Sequence, residues 1–188
     1  MNTLPQTPSQ TVGPYLHIGL IYGEKQNILT DEHTAGERIR LTGVIYDGNG
    51  VPIPDAMVEI WQADAHGIYP NPADPCYMDA DPHFSGFGRA ETRKGGAYEF
   101  HTVKPGGREG HAPFINVHLF ARGMLLHAHT RIYFADEPAN DTDPVLLSVP
   151  EKLRDTLLAR REDDGEIPVY RFDIHMQGEL ETVFFETV

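Results

Sequence analysis

Short apolar–polar alternations that end at glycine or proline constrain the fold of this chain more than any other feature. Residues 38–45 (RIRLTGVI) have mostly the period of a half-buried strand, and residues 47–50 (DGNG) supply a turn directly afterwards. Residues 57–62 (MVEIWQ) are a second candidate strand. The four prolines within residues 64–88 prevent a continuous ladder, so this segment is predicted to be a loop.

The rest of the sequence repeats this pattern and predicts an all-β fold. Residues 150–161 alone have helical spacing, with leucines on one face and a proline at the first turn. The further strands are predicted as two hairpins and a closing pair: 88–92 with 97–103, 114–121 with 125–134, and 169–175 with 180–186. About seven short strands and one short helix predict an antiparallel β-sandwich. Alternation assigns Ile60, Trp61, Leu119 and Phe120 to its core.

The chain is predicted to contain one domain preceded by an arm. Residues 1–36 are rich in turn-forming residues and form an extended N-terminal arm, and residues 37–188 form the β-sandwich. A length of 188 residues is sufficient to bury a core without disulfides. Cys76 is the single cysteine, so an intramolecular disulfide is impossible and a reducing compartment is expected.

Composition excludes several classes of partner. The polar segment 1–10 does not resemble a signal peptide, and no apolar run approaches the roughly 18 residues that span a bilayer. We therefore expect a cytoplasmic protein. The net charge of −13 argues against nucleic acid, because binding a polyanion requires clustered lysine and arginine. A small anionic substrate is still compatible with this charge. Because positive charge is scarce, any arginine near a pocket is a candidate for binding such a substrate.

The segment 41–69 (LTGVIYDGNGVPIPDAMVEIWQADAHGIY) resembles the signature of the intradiol ring-cleavage dioxygenases. The shared features are a strand with a glycine, a turn glycine, a Val-Glu-Ile strand and a final Gly-x-Tyr. Further blocks follow in the family order: 87–89 (FGR), 98–106 (YEFHTVKPG), 112–123 (APFINVHLFARG) and 130–134 (TRIYF). The arm 7–15 and the tail 170–185 resemble the family's alpha chains in particular.

The resemblance implies a ferric centre with two tyrosines and two histidines, and this chain matches one of the four. Tyr69 ends the Gly-x-Tyr motif. The second tyrosine should follow a Lys-Pro-Gly-Pro stretch, but residues 104–107 (KPGG) are followed by Arg108. The His-x-His pair is replaced by Phe114 and Asn116, which are poor substitutes for imidazole. We therefore predict no metal ligand and no catalytic residue in this chain.

The resemblance also implies a partner and a set of substrate-binding residues. The Fe(III) would be bound by a homologous beta chain, and the hetero-oligomer would cleave a small aromatic acid, a dihydroxybenzoate, with O2. Arg122 of the Phe-Ala-Arg-Gly motif would bind the substrate carboxylate. The arm residues Thr11, Gly13, Pro14 and Tyr15 would cover the partner's iron pocket.

Two other interpretations remain open at the level of sequence. His127 and His129 lie on one face of a strand, and with Tyr69 they would make a free-standing metalloenzyme. The chain would otherwise be a non-enzymatic binding or structural β-sandwich that is derived from the dioxygenase fold. Arg131 is a weaker candidate for substrate binding, and it is expected to be an interior-facing strand residue with an acidic partner.

Overall fold

The structure, a computed structural model, describes residues 8, 10, 11, 13, 19–21, 25–93, 95–162 and 165–186. Two short helices lie in this part of the chain, α1 (Pro144–Ser148) and α2 (Glu151–Arg154). The described strands are β1 (Arg38–Tyr46), β2 (Met57–Gln62), β3 (Phe87–Glu91), β4 (Ala97–Val103), β5 (Phe114–Phe120), β6 (Ala128–Phe134), β7 (Leu158–Glu162), β8 (Val169–Arg171) and β9 (Ile174–His175). None of the described helices has the length and apolar character that a membrane span requires.

The strands form one curled sheet whose two halves face each other across the core. The strand order is β3-β2-β5-β6-β7-β8-β1-β4, and β9 pairs with β1. The predicted all-β fold is confirmed, but the pairing is mixed, because β1 runs parallel to β8 and β9, and β6 runs parallel to β7. The helices α1 and α2 lie between β6 and β7, and a parallel pair requires such a crossover.

The core is built from every second residue of the strands, as the sequence predicts. Burial alternates along the whole of β1, with Ile39, Leu41 and Ile45 pointing inward. Ile60 and Leu119 from the facing half of the sheet are also fully buried. Trp61 and Phe120 were predicted in the core, and that prediction is wrong: each follows an inward residue on its strand and therefore points outward.

The first predicted hairpin is wrong, although both of its strands exist. β3 pairs with β2, whereas β4 pairs with β1 in the other half of the sheet. Residues 25–30 of the N-terminal segment lie between the two strands, where Arg89 N donates to Gln26 O and His101 N donates to Asn27 O. Leu29 of this segment is buried in the core. The division into an arm and a domain at residues 36 and 37 stays a prediction.

The predicted helix at 150–161 is only partly helical. α2 ends at Arg154, a 3₁₀ turn covers Asp155–Leu157, and β7 then begins at Leu158. Leu158 and Ala159 pair with β6, so sheet pairing overrides the local helical preference. The closing pair of strands is also shorter than predicted. Residues 169–175 split into β8 and β9, and 180–186 contributes a single bridge between Phe185 and His129.

Candidate functional site

The outer face of β2, β5 and β6 carries the residues that the sequence singled out. Strand register sets Trp61, Asn116 and Arg131 in one row across the three strands. His118 and His129 form the next row toward the β5–β6 turn. Because side chains alternate along a strand, these residues all project from the same face, opposite the core.

A cleft lies at the end of this face where β2 ends and β5 begins. It has a volume of about 470 Å³ and is lined by residues that include Trp61, Tyr69, Arg108, His111 and Phe114. The rings of Trp61 and Tyr69 stack with centroids 5.6 Å apart. The buried Asp64 carboxylate holds the loop before Tyr69 by accepting from the backbone N–H of residues 66, 68 and 81, at 2.8 to 2.9 Å.

Tyr69 is a neutral phenol in this cleft. Asn116 Nδ2 lies 3.4 Å from Tyr69 Oη and 3.3 Å from the Trp61 carbonyl oxygen. Burial raises the pKa of Tyr69, and the hydrogen bond from Asn116 and the charge of Arg131 offset that effect only in part. The tyrosine that the signature predicts is therefore present and held in place, with its proton retained near neutral pH.

The positions of the three missing ligands are occupied by groups that do not fit a ferric ion. Phe114 offers no donor atom, and the Arg131 guanidinium lies over its ring with Cζ 4.2 Å from the ring centroid. Arg108 pairs with Asp74, whose side chain is almost fully buried. Two guanidinium cations beside a neutral phenol would repel a trivalent cation, which requires anionic oxygen and imidazole donors. The prediction that this chain holds no iron is thus supported by the residues that are present.

One wall of the cleft rests on the buried carboxylate of Asp143. Asp143 accepts hydrogen bonds from Tyr133 Oη at 3.1 Å and from Ala112 N at 3.0 Å, and His111 Nδ1 lies 3.1 Å away. It also caps α1 through two backbone N–H groups. Burial raises the pKa of Asp143, but the hydrogen bonds from Leu146 N and Ala112 N outweigh burial and lower it. This carboxylate is therefore ionised and structural.

Arg122 lies at the opposite end of the same strands, in the turn between β5 and β6. Its Nε pairs with Asp55 Oδ2, and its side chain is 71% exposed. Gly123 follows with a φ of +86°, a conformation that glycine adopts without strain. The structure therefore places this predicted substrate-binding residue at an exposed turn, outside the cleft that contains Tyr69.

The described part of the N-terminal arm touches this turn. Gly123 N donates to Thr11 Oγ1 at 3.1 Å, so the arm touches the residue next to Arg122. Gly13 has a φ of +65°, again in the region that favours glycine. Pro14 and Tyr15, the other two arm residues predicted to bind substrate, lie outside the described residues.

Three histidines form a cluster between the cleft and the turn. The ring centroid of His118 lies 4.8 Å from that of His127 and 5.1 Å from that of His129. Burial lowers the pKa of His118, and burial together with the charge of His118 lowers the pKa of His129 to about 4. His127 and His129 therefore lie beside His118. The β6 residue in the row that faces Tyr69 is Arg131.

Sequence reasoning missed two features of these regions. Asp55 lies in a turn, as an aspartate after a proline predicts, but the sequence does not show that the continued register of β2 and β5 sets it opposite Arg122. Arg131 was expected to face the interior and to have an acidic partner, but it lies on the outer face and stacks on Phe114, and its buried Nη1 has no hydrogen-bond partner in the described part of the chain. The pairing of residues 57–62 with 114–121 would have revealed Asp55. The stacking of Arg131 has no comparable signal in the sequence.

Comparisons with known proteins agree with this picture. The profile of a family described as Dioxygenase matches residues 13–178. The chain is 46% identical to the protocatechuate 3,4-dioxygenase alpha chain of Pseudomonas putida, with 97% of each chain covered. It is also 34% identical to the protocatechuate 3,4-dioxygenase beta chain of Burkholderia cepacia, over 81% of this chain and 70% of that one.

A solved structure supports the fold. The intradiol ring-cleavage dioxygenase from Tetranychus urticae superposes with a TM-score of 0.65 at 20% identity, over 96% of this chain and all of that chain. The strand framework, the retained Gly-x-Tyr motif and the full-length similarity to an alpha chain therefore have one explanation. The chain belongs to the intradiol ring-cleavage dioxygenase family.

Proposed function

We propose that this chain is the alpha subunit of a protocatechuate 3,4-dioxygenase and holds no iron itself. A homologous beta chain binds Fe(III), and this chain completes the substrate pocket of that partner. The observation that carries the proposal is the replacement of three of the four ligand positions by Arg108, Phe114 and Asn116 on an intact family scaffold. Family members exist as named alpha and beta chains, which supports a hetero-oligomer.

Arg122 is the residue of this chain that we propose to bind the substrate carboxylate. Its Nε pairs with Asp55 Oδ2 and its side chain is 71% exposed, from which we infer that the two terminal nitrogens are available. A guanidinium offers these nitrogens as a planar pair that matches the two oxygens of a carboxylate. In a chain with a net charge of −13, an exposed arginine supplies positive charge that can attract the carboxylate of a ligand.

The arm contributes the rest of the proposed contacts. Thr11, Gly13, Pro14 and Tyr15 would cover the partner's pocket, and the hydrogen bond between Thr11 and Gly123 brings the start of this segment next to Arg122. Gly13 would let the backbone approach the substrate closely, and Tyr15 would contact its ring. These residues orient the substrate and exclude water, so they contribute position rather than chemistry.

The ferric ion of the partner would supply the activation of the bound catechol ring toward O2. The overall reaction cleaves protocatechuate between its two hydroxylated carbons and inserts both oxygen atoms, which gives 3-carboxy-cis,cis-muconate. We expect the assembly to work in the cytoplasm, since the exposed free Cys76 fits a reducing compartment. The acidic net charge gives no support to a nucleic acid partner.

Purification of the chain alone and together with a beta-type homologue tests this function. We expect the single chain to be colourless, without stoichiometric iron and without oxygen uptake on protocatechuate. The co-purified pair should contain one iron per beta chain and be active. A single chain with stoichiometric iron and a visible phenolate-to-iron absorption band would instead identify a free-standing metalloenzyme. A colourless chain that is monodisperse and never associates with the beta-type chain would identify a binding or structural module.

A further inference from the structure

We propose that Asp55 is a positioning residue for Arg122. It holds the guanidinium through Nε, so that the two terminal nitrogens face outward and receive the carboxylate of the aromatic substrate. This inference rests on the function proposed above, in which Arg122 binds that carboxylate. It adds a residue that neither contacts the substrate nor belongs to the arm.

Sheet register brings the two residues together. Met57 of β2 pairs with Phe120 of β5, so a continuation of the same antiparallel register by two residues sets Asp55 opposite Arg122. Both residues lie just beyond their strands, where directly opposed charges form a cross-strand pair. The contact joins Asp55 Oδ2 to Arg122 Nε, and the side chains are 25% and 71% exposed respectively. The carboxylate is therefore the sheltered member of the pair.

The backbone beside Asp55 is fixed, whereas Arg122 lies in a glycine turn. Ala56 is fully buried, and its N–H donates to Thr92 Oγ1 at 2.8 Å. Thr92 N in turn donates to Ala56 O at 2.8 Å, which ties this turn to the end of β3. A long arginine side chain has many rotamers, and an anchored carboxylate selects among them. We conclude that Asp55 orders Arg122 and not the reverse.

The geometry of the pair leaves the binding edge of the arginine open. A guanidinium carries five N–H donors, and a contact at Nε uses one side of the group. The edge formed by the two terminal nitrogens can bind a further carboxylate in a bidentate manner. Within the described part of the chain, Asp55 is the one carboxylate paired with Arg122. A second carboxylate, from a ligand, therefore has a vacant and pre-oriented partner.

Asp55 has two opposing effects on a bound carboxylate, and their sizes decide the expected sign. Its negative charge repels the ligand, and at about 7 Å in water this repulsion weakens affinity by about a factor of 3. Ordering the arginine side chain strengthens affinity by up to about 30-fold, because an arginine has extensive rotamer freedom to lose. Positioning therefore outweighs repulsion. We expect removal of the charge to weaken binding by about fivefold.

The test uses the alpha–beta assembly with four variants of this chain: Asp55→Asn, Asp55→Glu, Arg122→Ala and the Asp55→Asn/Arg122→Ala double variant. The KM for protocatechuate is measured, together with inhibition constants of 4-hydroxybenzoate, which has a carboxylate, and catechol, which has none. Asp55→Asn should raise the KM and the 4-hydroxybenzoate constant about fivefold, with kcat and the catechol constant within a factor of 2. Asp55→Glu should restore most of this loss. In the Arg122→Ala background, Asp55→Asn should no longer raise the KM and should lower it by up to about a factor of 3, because only the repulsion remains.

Asp155→Asn is the matched control. It also removes a carboxylate that pairs with an arginine, Arg160 at 3.6 Å, but this exposed pair is distant in sequence from Asp55 and Arg122. An unchanged or lower KM in Asp55→Asn would overturn the positioning role. Equal losses for 4-hydroxybenzoate and catechol would overturn it as well, because they would indicate a structural defect. If Arg122→Ala itself leaves the KM unchanged, the proposed role of Arg122 fails. If Arg122→Ala raises the KM and Asp55→Asn does not, only the role of Asp55 fails.

Discussion

The Tyr69 cleft and the Arg122 turn lie at opposite ends of β2 and β5. The two regions differ in how their charged side chains are paired and exposed. In the cleft, Arg108 pairs with Asp74, and the Asp143 carboxylate contacts His111 Nδ1. At the turn, Arg122 uses one nitrogen for Asp55 and leaves the rest of its guanidinium exposed. The cleft has the shape of a site without the donors for iron. The turn instead presents an exposed guanidinium.

This difference indicates that the cleft stabilises the fold of this chain, whereas the turn is available for binding. Groups that satisfy one another are part of the fold, and their removal is expected to reduce stability. A charge that stays exposed in an acidic chain contributes little to the fold, so its loss should affect binding instead. Substitutions at the two ends of β2 and β5 should therefore separate stability from activity. The four predictions below test that separation from the largest expected effect to the smallest.

Asp143→Ala should destabilise the chain more than any substitution at the turn. It leaves the buried Tyr133 hydroxyl and the Ala112 N–H without an acceptor and removes the cap of α1. We expect a loss of about 3–5 kcal/mol in the free energy of unfolding, measured by urea denaturation. Arg122→Ala should change the same quantity by less than about 0.5 kcal/mol. Similar losses for the two variants would remove the basis of the comparison.

Asp143→Asn is the conservative control, because it keeps an acceptor oxygen in the same place. The pKa of Asp143 is lowered in the fold, so its ionised form contributes stability above its ordinary pKa of 3.8. This contribution is lost as the pH falls through the lower pKa of the folded state. The difference in stability between the natural chain and Asp143→Asn should therefore shrink below about pH 4. A difference that grows in acid would contradict the assignment of an ionised carboxylate.

Arg122→Ala should have the largest effect on activity. In the alpha–beta assembly, we expect kcat/KM for protocatechuate to fall about 100-fold, which corresponds to about 2.7 kcal/mol for a lost charge-assisted carboxylate contact. Arg122→Lys should recover only part of this loss, because an ammonium cannot bind both carboxylate oxygens as a planar pair. The measurement is steady-state oxygen uptake at equal iron content. An Arg122→Ala assembly with unchanged kcat/KM would exclude this turn from the substrate pocket.

The sequence was sufficient to predict much of this fold, because the informative patterns are local. The strand 57–62 is predicted with its observed bounds, and the β5–β6 hairpin follows from its apolar runs and the glycine after Arg122. The missing iron ligands are also visible, since they are residue identities at motif positions. These features require no knowledge of which strands become neighbours.

What the sequence did not predict depends on non-local pairing. The segment around Leu158 has helical spacing, but pairing with β6 makes it a strand. The hairpin of β3 and β4 does not form because the segment around Leu29 lies between them. The pairing of Asp55 with Arg122 and the stacking of Arg131 on Phe114 were not predicted for the same reason, since the partner of each comes from a distant part of the sequence or another strand. Local propensity carries no information about such distant partners.

The histidine cluster lies between the two regions and should show an intermediate, pH-dependent effect. The pKa of His129 is lowered to about 4 in the fold, against 6.5 for an ordinary histidine. Between these values the unfolded chain binds a proton that the folded chain does not, so stability should fall as the pH decreases from 6.5. Because the ring is partly exposed, we expect about 1 kcal/mol between pH 7.5 and pH 5.

His129→Gln should reduce this slope of stability against pH, and urea denaturation at the two pH values measures it. Protonation of His118 is opposed by burial and by His127, so the same cluster should retain part of the pH dependence in the variant. A slope that is identical in the natural chain and in His129→Gln would show that this imidazole does not resist protonation in the fold. A steeper slope in the variant would contradict the sign of the shift.

Tyr69→Phe should have the smallest effect of all, although Tyr69 occupies the position of an iron ligand in the family signature. Among the described residues its hydroxyl has one long hydrogen bond, 3.4 Å from Asn116, so the loss should be less than about 0.5 kcal/mol in stability. The ring and its stacking on Trp61 are retained. Activity of the alpha–beta assembly should stay within a factor of 2, in contrast to Arg122→Ala. If Tyr69→Phe lowered kcat/KM tenfold while the iron content stayed constant, the cleft would still take part in the reaction, and the two ends of the sheet would no longer differ in role.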